Sequence, residues 1–116
     1  MTTARIDANA LPRDSEGRKD LPMARGLLDY FPAALAEVAR LSLVANEKHN
    51  PGEEMHHSRG KSSDHADCIV RHLVDRGFMD DDTFLHDVKV AWRGLALLQE
   101  ALEARGAPVA RAARLP

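Results

Sequence analysis

Three stretches of the chain carry apolar residues at helical spacing, and polar, Gly- and Pro-containing segments separate them. In the first stretch Leu35, Val38, Ala39, Ser42, Ala45, Asn46 and His49 fall at steps of three and four. The helix is expected to begin after "LLDYF", with Pro32 in its first turn, where a missing N–H costs nothing. It should stop at Asn50-Pro51-Gly52, because the residue before proline is pushed out of the α region. A polar loop of about ten residues follows, longer than most helix connections. Ser62 or Ser63 is placed to cap a second helix, with Asp64 in its first turn favoured by the helix dipole. Ala66, Ile69, Val70 and Leu73 form that helix's apolar face, and Gly77 marks its end. "DDDT" at 80–83 is expected to cap a third helix. There Phe84, Val88, Ala91, Leu95, Leu98 and Leu102 alternate by four and three, a bundle seam that ends near Gly106. No strand pattern is present, and the expected fold class is all-α.

The third helix is apolar around most of its circumference. Leu85, Val90, Trp92, Leu97 and Ala101 lie off the seam, and only the strip of His86, Lys89, Arg93 and Glu100 is fully polar. Such a helix needs partners on several sides, and a core of this size is marginal alone. An obligate oligomer is expected, a small helical bundle completed by assembly with the third helix at its centre.

The flanks differ. Residues 1–20 mix charges, Gly and Pro without an apolar period and are expected to be a flexible arm; the helical domain is 21–105. The tail, 106–116, reads "GAPVARAARLP", basic and acid-free, and the expectation is a frayed terminus.

Composition narrows the class. Of 116 residues, 44 % are apolar and 29 % charged, a globular balance, while 4 % aromatic residues leave the core to Leu, Val and Ala. A net charge of −2 argues against bulk nucleic-acid binding. One cysteine excludes an intrachain disulfide and suits a reducing compartment. No apolar run reaches membrane-spanning length, and the N-terminus is too polar for a signal peptide. The expectation is a cytoplasmic protein without a membrane partner.

The chemistry concentrates between Asn46 and His72, which hold five of the six histidines and the cysteine. Asn46 and His49 continue the inward stripe of the first helix. They either bond loop carbonyls or line a ligand pocket, since a buried polar group must be bonded. Asp64, Asp67 and Arg71 share one side of the second helix. Two carboxylates a turn apart can share a hard cation such as Mg²⁺, and Asp67–Arg71 is equally an ordinary i,i+4 ion pair. His86, Lys89 and Arg93 repeat the spacing with positive charge, suited either to phosphates or to solvent. Arg59 and Lys61 precede a helix N-terminus, where anions bind readily. A zinc site at Cys68 and His72 with the neighbouring histidines is disfavoured by a single thiol and the absence of C-x-x-C. His86-Asp87 as a phosphohydrolase pair is disfavoured because no aspartate follows Asp87.

The words "GLLDYFPAAL", "NEKHNPGE", "RGKSSDHADCIVRHL" and "KVAWRGLALLQ" run in order through Arg18–Glu103. With them the chain resembles the phage and bacterial "dATP/dGTP diphosphohydrolase, N-terminal" family, a branch of the MazG-like all-α nucleotide pyrophosphohydrolases. The resemblance implies Mg²⁺- or Mn²⁺-dependent cleavage of a (d)NTP, a purine dNTP, to (d)NMP and pyrophosphate, by a homodimer or homotetramer. Its pattern falls on Asn46, His49, Asn50, Lys61, Asp64, Asp67, Arg71, His72, His86 and Lys89. Within it, Asp64 and Asp67 stand for the E-x-x-D metal pair. Glu37 is the first member of an E-x-x-E pair whose second position is Arg40. His49 or His72 would position water or act as base. Lys61, Arg71 and Lys89 would meet the β and γ phosphates, and Trp92, Phe78, Tyr30 and Phe31 are the candidates to stack on the base. The rival expectation, favoured by the incomplete acidic pair, is a helical oligomer that binds nucleotides or a protein partner without hydrolysis.

Overall fold

The computed structural model describes residue 12 and residues 14–116. Its elements are α1 (Ser15–Lys19), a π-helical turn (Ala24–Leu28), α2 (Pro32–His49), β1 (His57–Ser58), α3 (His65–Val74), α4 (His86–Ala104) and β2 (Ala113–Arg114). The fold is predominantly helical, as the periodicity predicts. Helix α4 packs against both α2 and α3, which do not pack on each other. That leaves a cleft between them, floored by α4.

Most of the arm expected over 1–20 lies outside the described residues, but its end is structured. The Asp14 carboxylate caps α1 by accepting from Gly17 N–H at 2.9 Å. Gly17 is required there: a Cβ would come within 2.8 Å of both Asp14 Oδ1 and Pro12 Cβ. Helix α2 starts and stops where Pro32 and Asn50-Pro51 place its ends. Its inward stripe ends earlier than expected: Asn46 is buried, whereas His49 is exposed.

The other helix starts differ from expectation. Neither Ser62 nor Ser63 caps α3; Asp64 occupies the cap position without a side-chain bond. "DDDT" does not cap α4, whose cap position is Leu85. Instead residues 79–85 fold back as a tight antiparallel turn, with Asp80 N–H bonded to Phe84 O at 2.7 Å and Met79 bridged to Leu85. The turn holds Thr83 at φ +69°, a left-handed conformation that a β-branched residue rarely takes. The reason for the departure is Lys89, which draws Asp80 and Asp82 to its ammonium at 2.5 and 2.7 Å.

The tail is not frayed. At Gly106 (φ +107°) the end of α4 closes with Gly106 N–H on Glu103 O and Ala107 N–H on Leu102 O. The chain then returns to form a two-residue parallel pair, His57 opposite Ala113 and Ser58 opposite Arg114, strands that the sequence pattern does not show. Arg59 lies next to this pair and makes a bidentate bond to Glu103, at 3.0 and 2.8 Å.

The orientation of the helices also departs from the apolar pattern. The buried apolar side chains among the described residues are Pro12, Cys68, Phe84, Val88 and Ala96. Of the expected α4 seam, Leu95, Leu98 and Leu102 are exposed. On α3, Ala66, Val70 and Leu73 face outward, while His65 and Cys68 are buried and His72 half-buried. The cause is a polar interface: His65 meets Arg93 and Glu100, and His72 meets His86. The polar strip of α4, suited by its sequence either to phosphates or to solvent, therefore points into the subunit, and apolar surface is left on the outside.

Candidate functional site

Where α2 and α3 diverge over α4 lies an open cavity of about 710 Å³, within the range of small-molecule sites. The last turns of α2 supply Asn46, His49 and Asn50. The loop to α3 supplies Met55, His56, His57 and Lys61, and α3 adds His65 and His72. Lys89, Trp92 and Arg93 rise from α4. Asn46 organises the rim: its amide donates to Glu53 O at 3.1 Å, and its carbonyl accepts from Asn50 Nδ2 and His56 N–H. Asn46 thus bonds a loop carbonyl, as one of its two readings expects, and also borders the cavity.

Of the eleven residues singled out by motif and resemblance, Asn46, His49, Asn50, Lys61, His72 and Lys89 border this one space. His86 stands behind it, its Nδ1 2.8 Å from Nδ1 of His72. The other four do not line it. Arg71 is exposed, with its guanidinium on Cys68 Sγ at 2.9 Å. Asp64 and Asp67 are exposed on α3. Glu37 holds Arg40 at 2.8 and 3.2 Å, and Arg40 in turn lies 3.8 Å over the ring of buried Phe84. The residue at the second acidic position therefore diverts the first into a packing role. The bond from Arg40 holds the Glu37 carboxyl below the usual range.

Positive charge dominates the wall. Lys48, Lys61, Lys89 and Arg93 border the cavity against one carboxylate, Asp82. Lys89 is the most constrained of the four: burial opposes its charge, but the bonds to Asp80 and Asp82 outweigh that and raise its pKa. Asp80 in turn is lowered to about 2, chiefly by the Lys89 bond and then by the Asp81 N–H. Trp92, the only tryptophan, is fixed by a bond from Nε1 to Ser42 Oγ at 2.9 Å, and His57 packs edge-on to it at 4.9 Å. Tyr30, Phe31 and Phe78, the other expected stacking residues, are exposed and do not border the cavity.

Arginine donors fix the ring roles of His57 and His65. Arginine can only donate, so His65 Nδ1 accepts from Arg93 at 3.0 Å and its Nε2–H donates to Glu100 at 2.6 Å. His57 likewise accepts from Arg59. Burial, then the Arg59 charge, lowers the His57 pKa; burial, then His86, lowers that of His72. Two groups of side chains bring three metal-capable donors within 4.8 Å of one another: His57, His65 and Glu100, and His72, Asp80 and His86. Glu37, Asp64 and Asp67 belong to neither. Among the described residues the carboxylates assigned to Mg²⁺ or Mn²⁺ do not form a ligand set within one subunit. The sets that do converge are rich in imidazole, which suits borderline ions better than hard ones. Asp80 and the His65–Glu100 contact carry no local sequence signal as a site, because their partners lie in other elements.

Comparison with protein-family models, curated proteins and solved structures finds no match.

Proposed function

We propose that the cavity binds a nucleoside triphosphate and that the protein is a nucleotide pyrophosphohydrolase acting on a (d)NTP, a purine dNTP by the resemblance. The observation that carries the binding half is the charge of the wall: Lys48, Lys61 and Arg93, apart from the Lys89–Asp82 pair, beside a tryptophan face, in a chain whose net charge is −2. Lys61, Lys48 and Arg93 are the cations for the triphosphate, and Trp92 the ring for the base. In the hydrolytic step, water attacks the α-phosphorus. The bond from that phosphorus to the α–β bridging oxygen breaks and pyrophosphate leaves. His49 or His72, both on the wall, takes the proton of the attacking water. Mg²⁺ or Mn²⁺ is the ion the resemblance implies. Glu37, Asp64 and Asp67 do not converge on one within a subunit, so the roles assigned here rest on the cavity's own side chains.

That dispersal favours a second reading, a protein that binds nucleotides without hydrolysing them. One experiment separates the two. The purified chain is incubated with each dNTP and Mg²⁺ or Mn²⁺, pyrophosphate is measured, and binding is followed by Trp92 fluorescence. Pyrophosphate release supports the enzyme, and binding without release supports the second reading. Absence of any fluorescence change or pyrophosphate with every dNTP rejects both. Lys61→Ala should weaken triphosphate binding about tenfold or more and a monophosphate little, since a bond to a charged group contributes about 1.5–3 kcal/mol.

The exposed apolar residues Val70 and Val74 on α3, and Leu95, Leu98 and Leu102 on α4, support assembly as a homodimer or homotetramer. Among the described residues no helix is long and apolar enough to cross a membrane. A cytoplasmic location fits a dNTP substrate and the free thiol of Cys68.

A further inference from the structure

The two imidazole groups differ in what surrounds them. In the first, His57 and His65 each accept a hydrogen bond from an arginine, and the remaining nitrogen of His65 is bonded to Glu100. Two guanidinium charges beside those nitrogens oppose a cation, and the bonds leave His65 no free lone pair. In the second, the Nδ1 atoms of His72 and His86 face each other at 2.8 Å, and Asp80 Oδ2 lies 3.7 Å from His86 Nδ1. No arginine touches either ring there among the hydrogen bonds of the described residues.

The fold holds these three donors from separate directions. His72 comes from the last turn of α3, Asp80 from the turn that contains strained Thr83, and His86 from the first position of α4. The His86 N–H is tied to Phe78 O at 3.0 Å, and Asp80 Oδ1 accepts from Asp81 N–H at 2.7 Å, so Oδ2 is the oxygen turned toward the rings. Lys89 sits on that oxygen but has a second carboxylate, Asp82, at 2.7 Å. It can give up Asp80 without losing an ion-pair partner. Together the two aspartates outweigh the lysine by one negative charge.

We propose that His72, His86 and Asp80 form a site for a divalent transition-metal ion of the Zn²⁺ class. Two nitrogens and one carboxylate oxygen, with a fourth position left for water, is a ligand set that zinc accepts. Nitrogen donors favour it over Mg²⁺. Tetrahedral bonds of about 2.0–2.1 Å separate two nitrogens by roughly 3.3 Å, so the rings must part by about half an ångström. His72 and Lys89 also border the cavity, so the ion lies at its edge. Cys68 takes no part; its sulfur accepts from Arg71. The site does not depend on the nucleotide reading. If both hold, His72 is a ligand and the proton acceptor is His49.

The test is direct metal binding by the full chain after chelator treatment and dialysis. Co²⁺ is followed by its visible absorption and Zn²⁺ by calorimetry and by competition for Co²⁺. The expected result is one Zn²⁺ per chain, with His86→Gln and Asp80→Asn each weakening it at least about tenfold, a loss that even an outer-shell partner can bring. His65→Gln should leave the affinity unchanged. Circular dichroism checks that each variant is folded. If His86→Gln is not, Asp80→Asn decides, together with X-ray absorption of the zinc-loaded wild type, which should show two imidazoles. The site is overturned by no saturable binding to the wild type, by wild-type affinity in folded Asp80→Asn, or by loss of binding in folded His65→Gln alone.

Discussion

Replacing Glu103 by Gln removes a negative charge while keeping the shape of the side chain. The carboxylate accepts four hydrogen bonds: Arg59 Nε at 3.0 Å, Arg59 Nη2 at 2.8 Å, Gln99 Nε2 at 2.8 Å and Ala110 N–H at 3.0 Å. An amide presents an NH₂ where one oxygen stood, so at least one donor meets a donor. Arg59 is left with its charge buried; the pair is 8 % and 9 % exposed. Two routes give the magnitude. The Arg59 bond, with smaller help from Gln99 and the Ala110 N–H, lowers the Glu103 pKa to about 2. From an ordinary value near 4.3 that corresponds to about 3 kcal/mol. Breaking a buried pair from one side costs about 3–5 kcal/mol in other proteins. The expected loss is therefore about 3 kcal/mol at pH 7, or on the order of 12 °C or more in Tm for a domain of this size. Urea unfolding followed by circular dichroism should show a lower midpoint with an unchanged slope. The stabilisation has a sign in pH. Because the folded pKa is depressed, it is complete above about pH 4.3 and lost as pH falls through about 2. The gap between wild type and variant should close over that window. A loss below about 1 kcal/mol at pH 7, or a gap that does not change with pH, would refute the assignment of this pair as the tie between α4 and the segment that follows β1.

Other outcomes can be checked in parallel. Leu95 is 47 % exposed on one subunit, so Leu95→Glu should convert an oligomer into a smaller species with its helicity kept, as read by sedimentation; burial of each leucine is worth about 1.5–3 kcal/mol. A wild-type chain that sediments as a monomer at micromolar concentration would oppose that interface. His57 and His72 have lowered pKa values, from burial first and then from Arg59 and His86. Their contribution is complete above about pH 6.5 and is lost as pH falls through their lower folded values. Urea midpoints should drop from about pH 7 to about pH 5, and His72→Gln should flatten that slope. Ser42→Ala should cost about 1 kcal/mol and free the Trp92 indole, giving a changed emission spectrum before any ligand is added.

The exposed apolar surface and the inward polar strip are two sides of one observation. A subunit that turns buried His65 and half-buried His72, His86, Lys89, Arg93 and Glu100 inward leaves Val70, Leu95 and Leu98 in solvent. Each polar contact inside is bonded, and no buried side-chain nitrogen or oxygen among the described residues lacks a partner. This is the requirement that makes a polar interior tolerable.

Local rules decided much of this protein in advance. Pro32 and Asn50-Pro51 set the ends of α2, and Gly106 set the end of α4, because these residues restrict or release backbone angles whatever packs around them. Periodicity placed Asn46 on an inward stripe, and six polar residues chosen by motif and resemblance border one cavity. What periodicity could not decide was which face of a helix its neighbour covers. Helix α3 has an apolar side and a side bearing His65, Cys68 and His72. Only the Glu100, Arg93 and His86 side chains of α4 turn the second one inward. Pairings across the chain were equally out of reach: Arg59 with Glu103 spans 44 positions, and His72 with His86 spans 14. The two-residue strands are too short to show alternation, and form because the tail after Gly106 returns to His57. Asp80 and Asp82, which look like a helix cap in the sequence, are taken by Lys89, because an ammonium in reach of two carboxylates outweighs a capping bond.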